Sequence, residues 1–242
     1  MHHTNKMFIV PEMKISDVII ENPYLILMLE HLGVNLEVHE KTIELICNES
    51  NISTELFLTI VNLFNGFKPL PITEYASNDI QTIIKFLKNS HQYYMEEKYP
   101  QIQDYIEKIN KINDHAETFM IGKFFDKYFM EVTEHLDYED DVVFPYVLDL
   151  NNLLTHKNSD KAVSSYSVTE YKKHHNDIEE KLTDLNNLLI KYLPQKNDQQ
   201  IRRKLLFCLF ELEYDLEIHS QIEETILIPL VEKMEHLAKK RK

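Results

Sequence analysis

Two stretches of the sequence place a histidine four residues ahead of a glutamate in largely apolar surroundings. "EHLDYEDDVVFPYV", residues 134–147, holds His135 and Glu139, and "EIHSQIEETILIPL", residues 217–230, holds His219 and Glu223. Side chains four apart are neighbours on a helix surface, so each pair presents an imidazole beside a carboxylate. The periodicity around them says which way they face. Leu205, Leu209, Leu212, Leu216, His219, Glu223, Ile226 and Leu230 recur in the three- and four-residue steps of a core stripe. Phe124, Tyr128, His135, Glu139 and Val142 read as the inward face of a second helix. Tyr171, His175, Ile178, Leu182, Leu185 and Leu189 do so for a third, and Ile84, Leu87, His91 and Tyr94 for another. Each helix thus offers one inward histidine. Their separations of 44, 40 and 44 residues suit successive antiparallel helices crossing one level of a bundle.

A buried carboxylate without a compensating charge costs several kcal/mol, and none of these stripes carries a lysine or arginine. A metal cation would compensate. Imidazole together with carboxylate suits iron, manganese or zinc, and four histidines with two glutamates are enough for a pair of ions. One ligand has two readings. His174 and His175 point about 100° apart on a helix, and the stripe through Tyr171 and Ile178 selects His175, with His174 as the alternative. Glu179, four after His175, sits among Glu180 and Lys181 and reads as a solvated flank. Asp140 and Asp141 are candidates for orienting metal-bound imidazoles from behind. His115 serves either as a hydrogen-bonding neighbour of the site or as a helix cap.

The elements that must carry these residues are helices. Glycine occurs 3 times and proline 8 in 242 residues, a composition that disfavours a turn-rich sheet protein. Periodic segments span about 79–112, 115–150, 167–193 and 197–239, joined by polar connections. The chain is therefore expected to be all-α, with an antiparallel four-helix bundle over 79–242. Residues 1–68 read as a small helical N-terminal domain whose helices break at "ENP", at Gly33 and at "NESN". Residues 69–78, within the proline-bearing "NGFKPLPITEYASND", form the linker, and a helix starts at Ser77, Asn78 or Asp79.

Composition also excludes. The net charge of −14 repels nucleic acid and anionic membranes, and the terminal "KKRK" reads as a solvated end. No apolar run is long enough to span a bilayer or resembles a signal peptide. Two cysteines cannot build a disulfide framework, so the expected setting is reducing and cytoplasmic. Cys47, ending an amphipathic helix, reads as core packing rather than a redox thiol.

The four segments "NSHQYYMEEKYPQI", "EHLDYEDDVVFP", "EYKKHHNDIEEKL" and "EIHSQIEETILIP" resemble the ligand helices of hemerythrin-like di-iron proteins. The resemblance is to the repair of iron centres family, which joins a small helical domain to a di-iron bundle, and it covers nearly the whole chain. It implies two non-haem iron ions in an oxo- and carboxylate-bridged centre. His91, His135, His175 and His219 would be terminal ligands, and Glu139 and Glu223 the bridges. Oxygen-carrying hemerythrins show a further histidine and an aspartate where this chain has Glu179 and Glu224, a departure that favours the repair family. Family members with a thiol feature carry adjacent cysteines after the "LG" turn, and "HLGVNLEVHEK" has none. The implied function is a stress protein that binds nitric oxide, oxygen or peroxide, or donates iron to damaged iron–sulfur clusters. The alternative is a di-iron sensor or binding module acting through a protein partner. Whether the centre is enzymatic is left open. Expected partners are small diatomic or peroxide ligands and iron–sulfur proteins, with a homodimer as an open alternative, and neither nucleic acid nor membrane.

Overall fold

The computed structural model describes residues 7–68, 77–113, 116–155, 166–174, 180–191 and 197–241. His115, His175, Ile178, Glu179 and most of the expected linker lie outside them. Among the described residues the chain is helical, with a single isolated bridge between Lys14 and Thr42 and no strand.

Four short helices open the chain: α1 (Ile15–Glu21), α2 (Leu25–Leu32), α3 (Ile43–Ser50) and α4 (Thr54–Phe64). Their ends follow local chemistry. α1 stops at Asn22, ahead of Pro23. Gly33 ends α2 in the left-handed region at φ 68°, its N–H donating to the Glu30 carbonyl at 2.8 Å. Thr42 and Ser53 cap α3 and α4 by accepting from Leu45 N and Leu56 N. α5 (Ser77–Tyr93) continues through a π turn, Tyr94–Lys98, into α6 (Tyr99–Ile112). α7 (Ala116–Tyr138), a π turn at Glu139–Val143 and α8 (Phe144–Thr155) follow. After α9 (Val168–His174) and α10 (Glu180–Lys191), α11 (Gln199–Ile222) passes through a π turn, Glu223–Leu227, into α12 (Ile228–Arg241).

These elements form two compact units that alternate along the chain. One comprises Met1–Asn89, Phe144–Glu170 and Gln221–Lys242. Its interior includes Leu25, Met28, Leu29, Phe57, Ile60, Phe64, Ile83 and Phe86, all fully buried or nearly so. Asn62 ties the start of the chain to α4, accepting from Ile9 N at 2.8 Å and donating to Ile9 O at 3.0 Å. Asn89 of α5 donates to the His31 carbonyl of α2 at 2.8 Å. Glu235 of α12 accepts from the Tyr146 hydroxyl at 2.7 Å and from Val168 N at 2.6 Å.

The other unit comprises Ser90–Val143 and Tyr171–Ser220. Its core joins Tyr99, Ile102 and Ile106 of α6 to Phe125, Tyr128 and Val132 of α7, Leu182, Leu185 and Leu189 of α10, and Leu205, Leu209, Leu212 and Leu216 of α11. The α10 and α11 members are those of the sequence stripes. The α7 face is not. Phe124 and Val142 are each 37% exposed, while Phe125 and Val143 are fully buried. The inward line runs Ile121, Phe125, Tyr128, Val132, Leu136, Glu139, Val143. Its last step, from Glu139 to Val143, spans the π turn.

A polar clamp closes one end of this core. Asp198 accepts from Arg202 at 2.7 Å and from the Asn113 amide at 2.7 Å, and Arg202 also reaches the Leu189 carbonyl. Burial would raise the Asp198 carboxyl, but Arg202 and Asn113 hold it below the usual carboxylate value. Asp198→Ala strands the Arg202 guanidinium and should cost about 3 kcal/mol, the low end for a broken buried pair because Arg202 keeps some solvent contact. A urea titration followed by circular dichroism measures it.

Both cysteines are buried and free. Burial pushes the Cys47 and Cys208 thiols up to about 11, and Cys208 donates to the side-chain Oε1 of Gln101 at 3.0 Å. Neither thiol is ionised at neutral pH. The unfolded thiols release their protons near 9.0, so they oppose folding as pH rises from there toward 11. Near pH 8, alkylation of the folded protein should be slower than in denaturant by about two orders of magnitude, as read by mass spectrometry of iodoacetamide-treated samples.

Candidate metal centre

The site is built around one carboxylate. Glu139 stands at the first position of the π turn that follows α7 and is fully buried. Three imidazoles approach it. His135, one turn earlier on α7, brings Nε2 to 3.2 Å from Oε1. His91, near the end of α5, brings Nε2 to 3.4 Å from Oε2. His219, near the end of α11, brings Nε2 to 4.0 Å from the same oxygen. The rings of His91 and His219 face one another with centroids 5.0 Å apart. On the other carboxylate oxygen, Oε1, the Tyr171 hydroxyl donates at 3.4 Å.

Charge follows this geometry. Burial alone would raise the Glu139 carboxyl, yet the imidazoles of His135, His219 and His91 hold it well below the usual carboxylate range. Burial alone would lower His91, yet Asp140 and Glu139 together raise it to about 9. The pocket is therefore a buried negative charge compensated by the imidazoles around it, with His91 carrying a proton at neutral pH when no metal is bound.

The donor atoms of His91, Glu139 and His219 all lie within 4.8 Å of one another and can hold a metal ion. Around a cation with bonds of about 2.1 Å, adjacent ligand atoms sit roughly 3 Å apart. The His91 approach to Oε2, 3.4 Å, is near that spacing and that of His219, 4.0 Å, is longer; Oε2 accepts no hydrogen bond. An acceptor buried in this way ordinarily finds a donor; a metal in the same place would satisfy it and both facing nitrogens together. The chemistry of the set, nitrogen and carboxylate oxygen, is that of first-row transition metals.

Metal-binding imidazoles need their outer nitrogen held. For His91 the holder is Asp140, whose Oδ2 lies 3.2 Å from Nδ1. Asp141, the next residue, is exposed. For His219 it is Ser90, whose Oγ lies 2.8 Å from Nδ1. Sequence reasoning passed over Ser90, although its position next to His91 was a visible hint. It read Tyr171 only as core.

The remaining sequence candidates are placed as follows. Glu223 is fully buried at the first position of its own π turn, one helical turn beyond His219, and Glu224 beside it is exposed. His174 ends α9. His175 and Glu179 lie outside the described residues. A π turn thus begins at Glu139 and at Glu223, and another three residues after His91. Such turns occur mostly where a helix is adapted to a functional site.

Compared with known proteins, the chain matches no family model and no curated protein at a significant level.

Glu139→Gln preserves the shape of the side chain and removes its charge. Binding of manganese(II), read by chelator competition, should weaken by more than about a hundredfold, beyond the loss expected for a residue behind the ligands. Glu224→Gln should bind as the wild type does.

Proposed function

We propose that the chain is a non-haem di-iron protein built on a hemerythrin-like antiparallel four-helix bundle, and that it binds nitric oxide, oxygen or peroxide under stress. Its iron would also serve as cargo for damaged iron–sulfur clusters. The observation that carries this reading is the convergence of His91, His135 and His219 on the buried carboxylate of Glu139.

His91, Glu139 and His219 form a donor set for one ion, His135 faces the other carboxylate oxygen of Glu139, and the second ion follows from that division and from repetition. The pair His219 and Glu223 has the same spacing as His135 and Glu139, with a π turn at the same point. Glu223 would supply the second bridging carboxylate and His175 the fourth imidazole. Iron is the choice among metals of this preference because the ligand motifs resemble those of di-iron hemerythrins. Bound there, the iron pair would supply one-electron redox chemistry and open positions for a small ligand.

The protein's own residues set the terms. Glu139, His91 and His219 are almost wholly buried, which suits a ligand as small as a diatomic or a peroxide. Asp140 and Ser90 hold the imidazoles in place. The buried thiol of Cys47, raised to about 11, is a poor carrier of iron, so delivery would need no thiol relay.

Protein from iron-replete cells should contain about two irons per chain and show an oxo-bridged diferric absorption at the ultraviolet edge of the visible. The reduced form should react with nitric oxide or peroxide. Loaded protein, wild type or Cys47→Ser, should reactivate an inactivated iron–sulfur dehydratase beyond what the same amount of free ferrous iron achieves. A single zinc per chain would overturn the di-iron reading, and recovery no better than with free iron would overturn the donor role.

A further inference from the structure

Tyr94 opens a π turn, as Glu139 and Glu223 do, and such turns occur mostly where a helix serves a functional site. Tyr94 is fully buried, its ring edge-on to His219 with centroids 5.9 Å apart. Its hydroxyl donates to Oδ2 of the buried Asp215 at 2.7 Å. The preceding residue, Tyr93, is only partly buried, and its ring lies 5.9 Å from that of Tyr94. The Tyr93 hydroxyl donates to Oε1 of Glu211 at 3.2 Å, and the Glu211 side chain is 39% exposed. Two phenol–carboxylate pairs therefore lead from His219 toward solvent. Their acids share one face of α11, where Glu211, Asp215 and His219 stand four residues apart.

We infer that Tyr94 and Tyr93 form a two-step electron route, through which hydrogen peroxide reduced at the metal centre draws single electrons from the protein. A phenol gives up an electron readily when its proton leaves in the same event, because the ring cation is a strong acid. Each of these phenols already donates to a carboxylate that can take the proton. Lys98 enforces the coupling at the outer step. Its Nζ lies 5.3 Å from the Tyr93 ring centroid and 2.6 Å from Oε2 of Glu211, so positive charge left on that ring would be repelled.

One hydrogen peroxide takes two electrons and two protons to become two waters. Both electrons for a first peroxide can come from ferrous iron; for a second, with the iron ferric throughout, they come from the phenols. Tyr94 yields one electron, its proton passing to Asp215. Tyr93 then refills Tyr94: an electron moves between the rings, Asp215 returns the proton, and the Tyr93 proton goes to Glu211. A further electron from Tyr94, with its proton again on Asp215, completes the reduction. The two protons bound into water come from solvent. The products are two waters and two neutral phenoxyl radicals, the outer one within reach of solvent. The inference goes beyond the metal reading and rests on it for the centre at which peroxide is reduced.

The test uses iron-loaded, oxidised protein whose iron content is measured first. Hydrogen peroxide is added, and freeze-quenched samples are read by electron paramagnetic resonance. Wild type should give a tyrosyl radical, recognised by the narrowing of its signal when the tyrosines are ring-deuterated. A nitroso spin trap followed by peptide mass spectrometry should place an adduct on Tyr93. Tyr94→Phe should keep its iron and lose that adduct, although Tyr93 is intact. Tyr93→Phe should keep a radical on Tyr94 that the trap does not reach. Asp215→Asn preserves the shape of the side chain and removes the base, so it should lower the radical yield at unchanged iron content, and it serves where Tyr94→Phe fails to fold. Iron-loaded wild type in which peroxide raises no tyrosyl radical would overturn the inference and leave the metal reading intact. A Tyr93 adduct that persists in Tyr94→Phe and Asp215→Asn would do the same, as would variants whose radical falls only in proportion to their iron. Wild-type protein that holds no iron would reject the metal reading, and this inference with it.

Discussion

One buried negative charge organises this protein. Glu139 sits without solvent contact, and an isolated carboxylate in such a place would be driven to take a proton. It stays ionised because imidazoles from α5, α7 and α11 surround it. Two of the histidines are in turn held by groups one layer further out: Asp140 behind His91 and Ser90 behind His219. The apolar core of the same unit lies along the same helices. Leu212 and Leu216 prepare the face on which His219 stands, and Tyr128 and Val132 prepare that of His135. Burial supplies the driving force, and the charge decides what has to be brought to the middle.

Much of this was legible in the sequence because helices write their inward faces as a period. α11 is the clearest case. From Leu205 to Leu230 every stripe residue is buried, the histidine and glutamate included. The breaks between the N-terminal helices were legible for a different reason, since Gly33 and Asn51 adopt left-handed backbone that few other residues tolerate. The α7 face was misjudged by one position at both ends, Phe124 for Phe125 and Val142 for Val143. Phe124 and Phe125 both lie within a helical step of Tyr128, and Val142 and Val143 within one of Glu139, so the period alone does not choose between neighbours.

The outer layer of the site was only half legible. Asp140 could be anticipated because acidic groups next to a candidate ligand commonly orient it. Ser90 could not, because its relation to His219 depends on packing between α5 and α11, more than a hundred residues apart in sequence. Short polar side chains carry no periodic signature, and a tyrosine on a core stripe looks the same whether its hydroxyl has a task or not. Cys47 was read correctly, since a lone thiol on an amphipathic helix has little to do except pack.

The π turns have a mechanical meaning. Each is a dislocation in the hydrogen-bond lattice of a helix, one surplus residue accommodated where a regular ladder would have none. A dislocation can glide by exchanging one hydrogen bond for its neighbour, without melting the helix on either side. Every such step rotates the side chain at its edge by about 100°. Glu139 and Glu223 stand on these edges. The dislocation is thus pinned by what it carries: Glu139 is gripped by three imidazoles and a phenol, and both carboxylates are fully buried.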